Sequence, residues 1–124
     1  MATLLIADDD PGFRQSIRRV LERDPDARVV GEADSGDEAV RLARELRPNV
    51  VLMDLAMTPG NGMTGIDALR RTKRELPDTI VIVVTVHGEE PYRREAMAGG
   101  ADGFVLKKAL GTDLLPVIRR LTSD

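Results

Sequence analysis

The sequence predicts an α/β protein: a doubly wound (βα)5 three-layer sandwich, with a parallel sheet covered by helices on both faces. Two observations carry that prediction. Five short apolar runs alternate with longer segments of helical period. The runs do not alternate polar with apolar residues, so each must be buried on both faces, as strands of a parallel sheet are. Right-handed crossovers and two-sided coverage then leave the doubly wound arrangement.

The elements follow in order. Leu4-Leu5-Ile6-Ala7 reads as a strand that stops at Asp8-Asp9-Asp10. From about Pro11 to Arg23 the apolar positions Phe13, Ile17, Val20 and Leu21 form a helical stripe, and Asp10-Pro11-Gly12 reads as its turn and start. Arg28 to Ala33, around Val29-Val30, is a second strand. Ser35-Gly36-Asp37-Glu38 has the form of a capping box, and Ala39, Val40, Ala43 and Leu46 continue the inner face of that helix until Pro48 and Asn49 break it. Val50 to Met53 is the third strand, ending at Asp54. A loop rich in Gly and Pro follows, then a helix carrying Ile66, Leu69 and Leu76 and ended by Pro77. Ile80 to Val84 is the most uniformly apolar run and reads as a central strand, ending at Thr85. A weakly patterned helix around Tyr92, Ala96 and Met97 stops at Gly99-Gly100. Phe104-Val105-Leu106 is the fifth strand, ending at Lys107, and a last helix shows Leu114, Leu115, Ile118 and Leu121, with Pro116 expected near its start.

A length of 124 residues suits a single domain spanning 1–124. With only Phe13, Tyr92 and Phe104 as aromatics, the core must be aliphatic. A net charge of −3 with both signs interspersed gives no electrostatic case for gripping nucleic acid or an anionic membrane. The absence of cysteine excludes disulfides, thiolate catalysis and sulfur-held zinc. The first apolar run is too short for a signal peptide or membrane span, so the natural compartment is the cytoplasm.

Ligands of open parallel sheets bind outside the carboxyl ends of the strands. Those ends carry Asp8 and Asp9, Asp54, Thr85 and Lys107: three carboxylates, a hydroxyl and an ammonium from four strands. Singly, each has an ordinary explanation. A strand-end aspartate is often a turn former or helix N-cap, as Asp10 is here. Thr85 alone is a strand-end hydroxyl, Lys107 alone a solvated lysine, His87 a loop residue and Phe13 a core residue. Convergence overturns that for the five. Gathered carboxylates stay ionised together only beside a cation; otherwise some of their pKa values rise and they take up protons. Hard oxygen ligands favour Mg²⁺ or a similar ion, which keeps coordination positions for phosphoryl oxygens. Carboxylate attack on phosphorus then gives an acyl phosphate.

Leu-Ile-Ala-Asp8-Asp9-Asp10, Val-Leu-Met-Asp54-Leu, Val-Val-Thr85 and Ala-Asp-Gly-Phe104-Val-Leu-Lys107 together resemble the response-regulator receiver domain of two-component systems, from Leu4 to about Leu121. The resemblance is closest to receivers joined to a C-terminal helix-turn-helix. It implies a flavodoxin-like sheet of order 2-1-3-4-5, with Asp54 as phosphoacceptor. It implies Mg²⁺ held by Asp9, Asp54 and the Ala56 backbone carbonyl, with Asp8 acting through water. Thr85 and Phe104 match the switch pair, and Lys107 matches the lysine that pairs with the phosphoryl group. The implied donor is a sensor histidine kinase. The implied output surface is helix four, strand five and helix five, also a possible homodimer face, with DNA reached only through a domain absent from this chain. Such a domain assists its own phosphorylation and hydrolysis and is not a conventional enzyme.

Some positions depart from the family pattern. The loop Met57 to Gly65 is long, Val86 is bulky where a small residue is usual, and Lys108 replaces a common proline, so a trans peptide is expected there. Ala56 and His87 occupy the positions that tune phosphoryl lifetime. Three rival classes conflict with particular residues. A haloacid-dehalogenase-type phosphatase needs a second aspartate where Ala56 stands. A nucleotide or flavin module would not place three aspartates where a phosphate must sit. A degenerate receiver would not keep all five markers. A stand-alone regulator signalling by protein contact is the alternative to transcriptional output.

Overall fold

The computed structural model describes residues 1–57 and 62–123. The elements run β1 (Ala2–Ala7), α1 (Pro11–Leu21), β2 (Ala27–Ala33), α2 (Gly36–Leu46), β3 (Val50–Met53), α3 (Gly65–Glu75), β4 (Ile80–Thr85), α4 (Glu90–Ala98), β5 (Gly103–Leu106) and α5 (Leu110–Thr122); a 3₁₀ turn over Lys107–Ala109 leads into α5. All pairings are parallel, and the order is β2-β1-β3-β4-β5. The expected flavodoxin-like sandwich is the observed one.

Strand periodicity sorts the core into two layers. Leu5, Ala7, Val51, Met53, Val81 and Val83 face α2, α3 and Ala96 of α4. The intervening Leu4, Ile6, Val50, Leu52, Ile82 and Val84 face α1 and α5. Central strands buried on both faces explain why the runs carry no polar alternation. β2 lies at the sheet edge and is only half buried.

Local chemistry fixes the element ends. Asp10 caps α1, its carboxylate accepting from the Gly12 and Phe13 N–H groups at 2.9 and 3.3 Å. Ser35 caps α2 by accepting from Glu38 N–H, but Glu38 reaches back to the N–H of Asp34 and not to that of Ser35, so the expected box is incomplete. The reciprocal box occurs instead at Thr64 and Asp67, where α3 begins. Asp102 accepts from the Val81 N–H and pairs with Lys73 at 2.9 Å, tying α3 to the sheet beside the entrance of β5.

Four expectations need correction. Leu46 is 39% exposed because α2 ends over the edge strand, with nothing beyond it to pack on. Met97 is 42% exposed because α4 buries only Ala96. β1 starts at Ala2, two residues earlier than the apolar run. Pro116 lies inside α5, because the 3₁₀ turn brings the helix start back to Leu110. No cis peptide occurs among the described residues, the Lys107–Lys108 bond included. No described helix is long and apolar enough to cross a membrane.

Candidate functional site

The strand order reverses between β1 and β3. Ala7 pairs with Met53, so Asp8 and Asp54 leave adjacent strands side by side. The Asp54 N–H still bonds to Ala7 O at 2.9 Å, and the Asp8 N–H bonds to Ala33 O at 3.0 Å. Thr85 pairs with Leu106, so Lys107 starts one residue beyond that pair and reaches back across the edge. Register alone therefore gathers four of the sequence-predicted residues.

Lys107 Nζ lies 2.9 Å from Asp8 Oδ2 and 2.9 Å from Asp54 Oδ2. Both aspartates are buried, at 1% and 6% exposure. Burial raises the Asp8 carboxyl above its ordinary value, and this outweighs the lowering by Lys107 and by the Asp10 N–H, which donates to Asp8 Oδ1 at 2.9 Å. Burial would push the Lys107 ammonium down, yet the two aspartates outweigh it and raise it. The ammonium is thus kept charged by a pair of carboxylates that need it. Asp8 Oδ2 makes no hydrogen bond of ordinary geometry, so the ion pair is its neighbour there. The other Asp54 oxygen, Oδ1, accepts from the Ala56 N–H at 3.0 Å.

The remaining predicted residues are placed less tightly. Asp9 is exposed on the rim, and among the described residues no three carboxylates or imidazoles are grouped closely enough to hold a metal ion as they stand. The donor chemistry nevertheless suits a hard cation. The site offers hard carboxylate oxygens taken out of water, with Asp8 Oδ2 met by the Lys107 ammonium. Thr85 is completely buried, and its oxygen accepts from the His87 N–H at 3.2 Å. Phe104 is half buried against the α2–α3 layer. Val86 is 67% exposed, so it is not packed over Asp54. Of the long loop, positions 58–61 lie outside the described residues. Its two ends are clear: Met57 is buried, and Gly65 sits so close to Leu55 that a Cβ would stand 2.2 Å from Leu55 O.

Sequence reading missed three participants. Phe13, expected only as core, places its ring 4.2 Å from Lys107 Nζ. Arg14 donates to the Asp8 carbonyl at 2.6 Å and to Glu32 at 2.7 Å, while Arg18 donates to the other Glu32 oxygen. Tyr92 abuts His87, with ring centroids 5.1 Å apart, and meets Phe104 edge-on at 6.5 Å. Phe13 and Arg14 follow directly on the Asp10 cap, which sets the first turn of α1 over this edge. That cap was the available signal.

The parallel sheet thus sets paired acids and a lysine at its reversal point, the arrangement that a signalling receiver domain carries. The chain matches the response regulator receiver domain over residues 4–119 and belongs to that family, whose members are signalling domains and not conventional enzymes. Among its relatives is the response regulator GacA of Pseudomonas aeruginosa, 41% identical over 121 residues, covering 98% of this chain and 55% of GacA. The crystal structure of a LuxR-family two-component response regulator from Aurantimonas sp. superposes with a TM-score of 0.90 at 33% identity, covering 98% of this chain and 84% of that one. A DNA-binding response regulator of the LuxR family from Staphylococcus aureus gives 0.88 at 29% identity, covering 99% and 100%. The chain spans about half the length of the curated relative it matches.

Proposed function

We propose that residues 1–124 form one phosphoacceptor domain of a two-component system, in which Asp54 takes a phosphoryl group from the phosphohistidine of a sensor histidine kinase. The observation that supports this most is the Lys107 ammonium, 2.9 Å from both the Asp8 and the Asp54 carboxylates. An Asp54 oxygen attacks phosphorus; the new O–P bond forms as the N–P bond to imidazole breaks, and the imidazole leaves with the electron pair. The leaving imidazole is neutralised by a proton from solvent, and the phosphoryl oxygens keep their negative charge, which the Lys107 ammonium is positioned to meet. The Ala56 N–H holds the other carboxylate oxygen and so orients the nucleophile.

Mg²⁺ is the implied cofactor: Asp8, Asp9, Asp54 and the Ala56 carbonyl would hold it, and when bound it supplies the positive charge that lets a phosphoryl dianion approach buried aspartates. Once Asp54 is phosphorylated, the Thr85 hydroxyl turns toward the phosphoryl group and Phe104 follows, altering the α4-β5-α5 face. That face is the proposed output and homodimer surface. The Staphylococcus aureus relative is described as a DNA-binding response regulator, which supports a transcriptional role for this domain, and we place that role in the cytoplasm.

Intact-mass analysis after incubation with Mg²⁺ and acetyl phosphate tests the reading. One phosphoryl increment is expected for the wild type and none for Asp54→Asn. A variant that still acquires the increment would remove Asp54 from the role.

A further inference from the structure

Thr85 is connected to α4 by a residue to which the receiver reading gives no part. Tyr92, in the first turn of α4 and the only tyrosine in the chain, has a phenol oxygen that is buried and lacks a hydrogen-bond partner of ordinary geometry. Burial raises this phenol, the neighbouring Thr85 hydroxyl tempers the rise, and the Asp54 charge adds to it. The phenol thus lies beside Thr85 and within the electrostatic reach of Asp54. Its ring fills the space between His87 and Phe104. Arg93, the next residue of α4, lies 5.1 Å over the Phe104 ring.

The rest of α4 is weakly anchored. Only Ala96 is buried, and the N-cap Glu89 makes no side-chain cap bond. The aromatic contacts at its first turn are thus a principal tie between this helix and the site. A buried hydroxyl without a partner is destabilising, so the resting arrangement leaves a hydrogen bond unmade that another arrangement can supply. Thr85 Oγ1 now accepts from the His87 N–H. If the Thr85 hydroxyl turns toward Asp54, that bond is released at the start of the segment that leads into α4.

We propose that Tyr92 is a positioning residue of the switch: its hydroxyl, unpartnered in the resting chain, gains a hydrogen bond when Thr85 turns toward the Asp54 phosphoryl group, and α4 moves with it. The inference rests on Asp54 being the phosphoacceptor, and its test keeps the two apart. With one tyrosine and no tryptophan, the emission of the unmodified chain reports Tyr92 alone. Acetyl phosphate and Mg²⁺ are added, and intact mass and tyrosine emission are followed together. The expected result is an emission change that tracks the phosphoryl increment and is lost in Thr85→Ala at equal phosphorylation. Tyr92→Phe is expected to keep or raise the resting melting temperature, and to reduce the rise that beryllofluoride and Mg²⁺ produce in the wild type. Full phosphorylation with unchanged emission overturns the proposal. So does a Tyr92→Phe variant whose melting temperature falls equally with and without beryllofluoride, since a purely packing role predicts that. If no phosphoryl increment forms at all, the reading of Asp54 fails first and this one falls with it.

Discussion

At the scale of residues, Lys107 is the group on which the buried acids depend. Its side chain is 15% exposed, and the Asp8 and Asp54 side chains only 2% and 8%. Lys107→Met leaves two adjacent buried carboxylates without their cation, a loss of roughly 1–3 kcal/mol at neutral pH in the absence of divalent ions. The sign of its pH dependence follows from Asp8. A carboxyl whose folded pKa is raised contributes stability below its unfolded pKa and loses it as pH rises through the folded value. Removing Lys107 raises Asp8 further, so the deficit of Lys107→Met shrinks in mild acid. Urea denaturation at neutral and mildly acidic pH checks this, and a deficit independent of pH would contradict it. Asp8 and Asp54 were legible in the sequence because each ends a recognisable strand. The 4.2 Å contact of Phe13 with Lys107 was not, because an apolar residue in a helical stripe carries no mark of what its ring faces.

At the scale of elements, α1 is tied to β2 by Glu32, which Arg14 and Arg18 both engage. Burial alone would raise the Glu32 carboxyl, but the two guanidinium groups outweigh it and hold it below the ordinary range. A lowered folded pKa gives stability above the unfolded value that is lost as pH falls through the folded one. Glu32→Gln is therefore expected to lose about 0.2–1 kcal/mol at neutral pH, with its stability curve meeting the wild-type curve in acid. Thermal melts across that range decide it. The loop after Asp54 returns through Gly65, where a methyl group would stand 2.2 Å from Leu55 O and 2.5 Å from Leu55 Cα. Those are backbone atoms of the residue next to Asp54. Gly65→Ala is expected to cost roughly 1–3 kcal/mol and to slow phosphoryl uptake, measured by denaturation and by the time course of the mass increment. Unchanged values for both would show that the backbone there gives way freely. Element types were readable from periodicity, whereas their ends turned on single hydrogen bonds. Thr64 and Asp67 form the capping box expected at Ser35 and Glu38, and Pro116 lies mid-helix because the 3₁₀ turn at Lys107–Ala109 moves the start of α5.

At the scale of the molecule, strand order converts four separate sequence positions into a site. Order β2-β1-β3-β4-β5 sets Asp8 beside Asp54 at the reversal point, and the β4–β5 register lets Lys107 reach both. That architecture followed from uniformly apolar runs, since only a parallel sheet clad on both faces buries them. Less legible was the packing around α4. α4 buries a single alanine, and its aromatic contacts join residues far apart in sequence. The central claim concerns one atom pair, a phosphorus on a carboxylate oxygen of Asp54. Borohydride reduces an acyl phosphate to an alcohol, so reduction of the phosphorylated chain followed by peptide mapping marks the modified residue. Reduction is expected at Asp54 and at no other aspartate; reduction at Asp8, Asp9 or Asp10, with Asp54 untouched, would contradict that assignment.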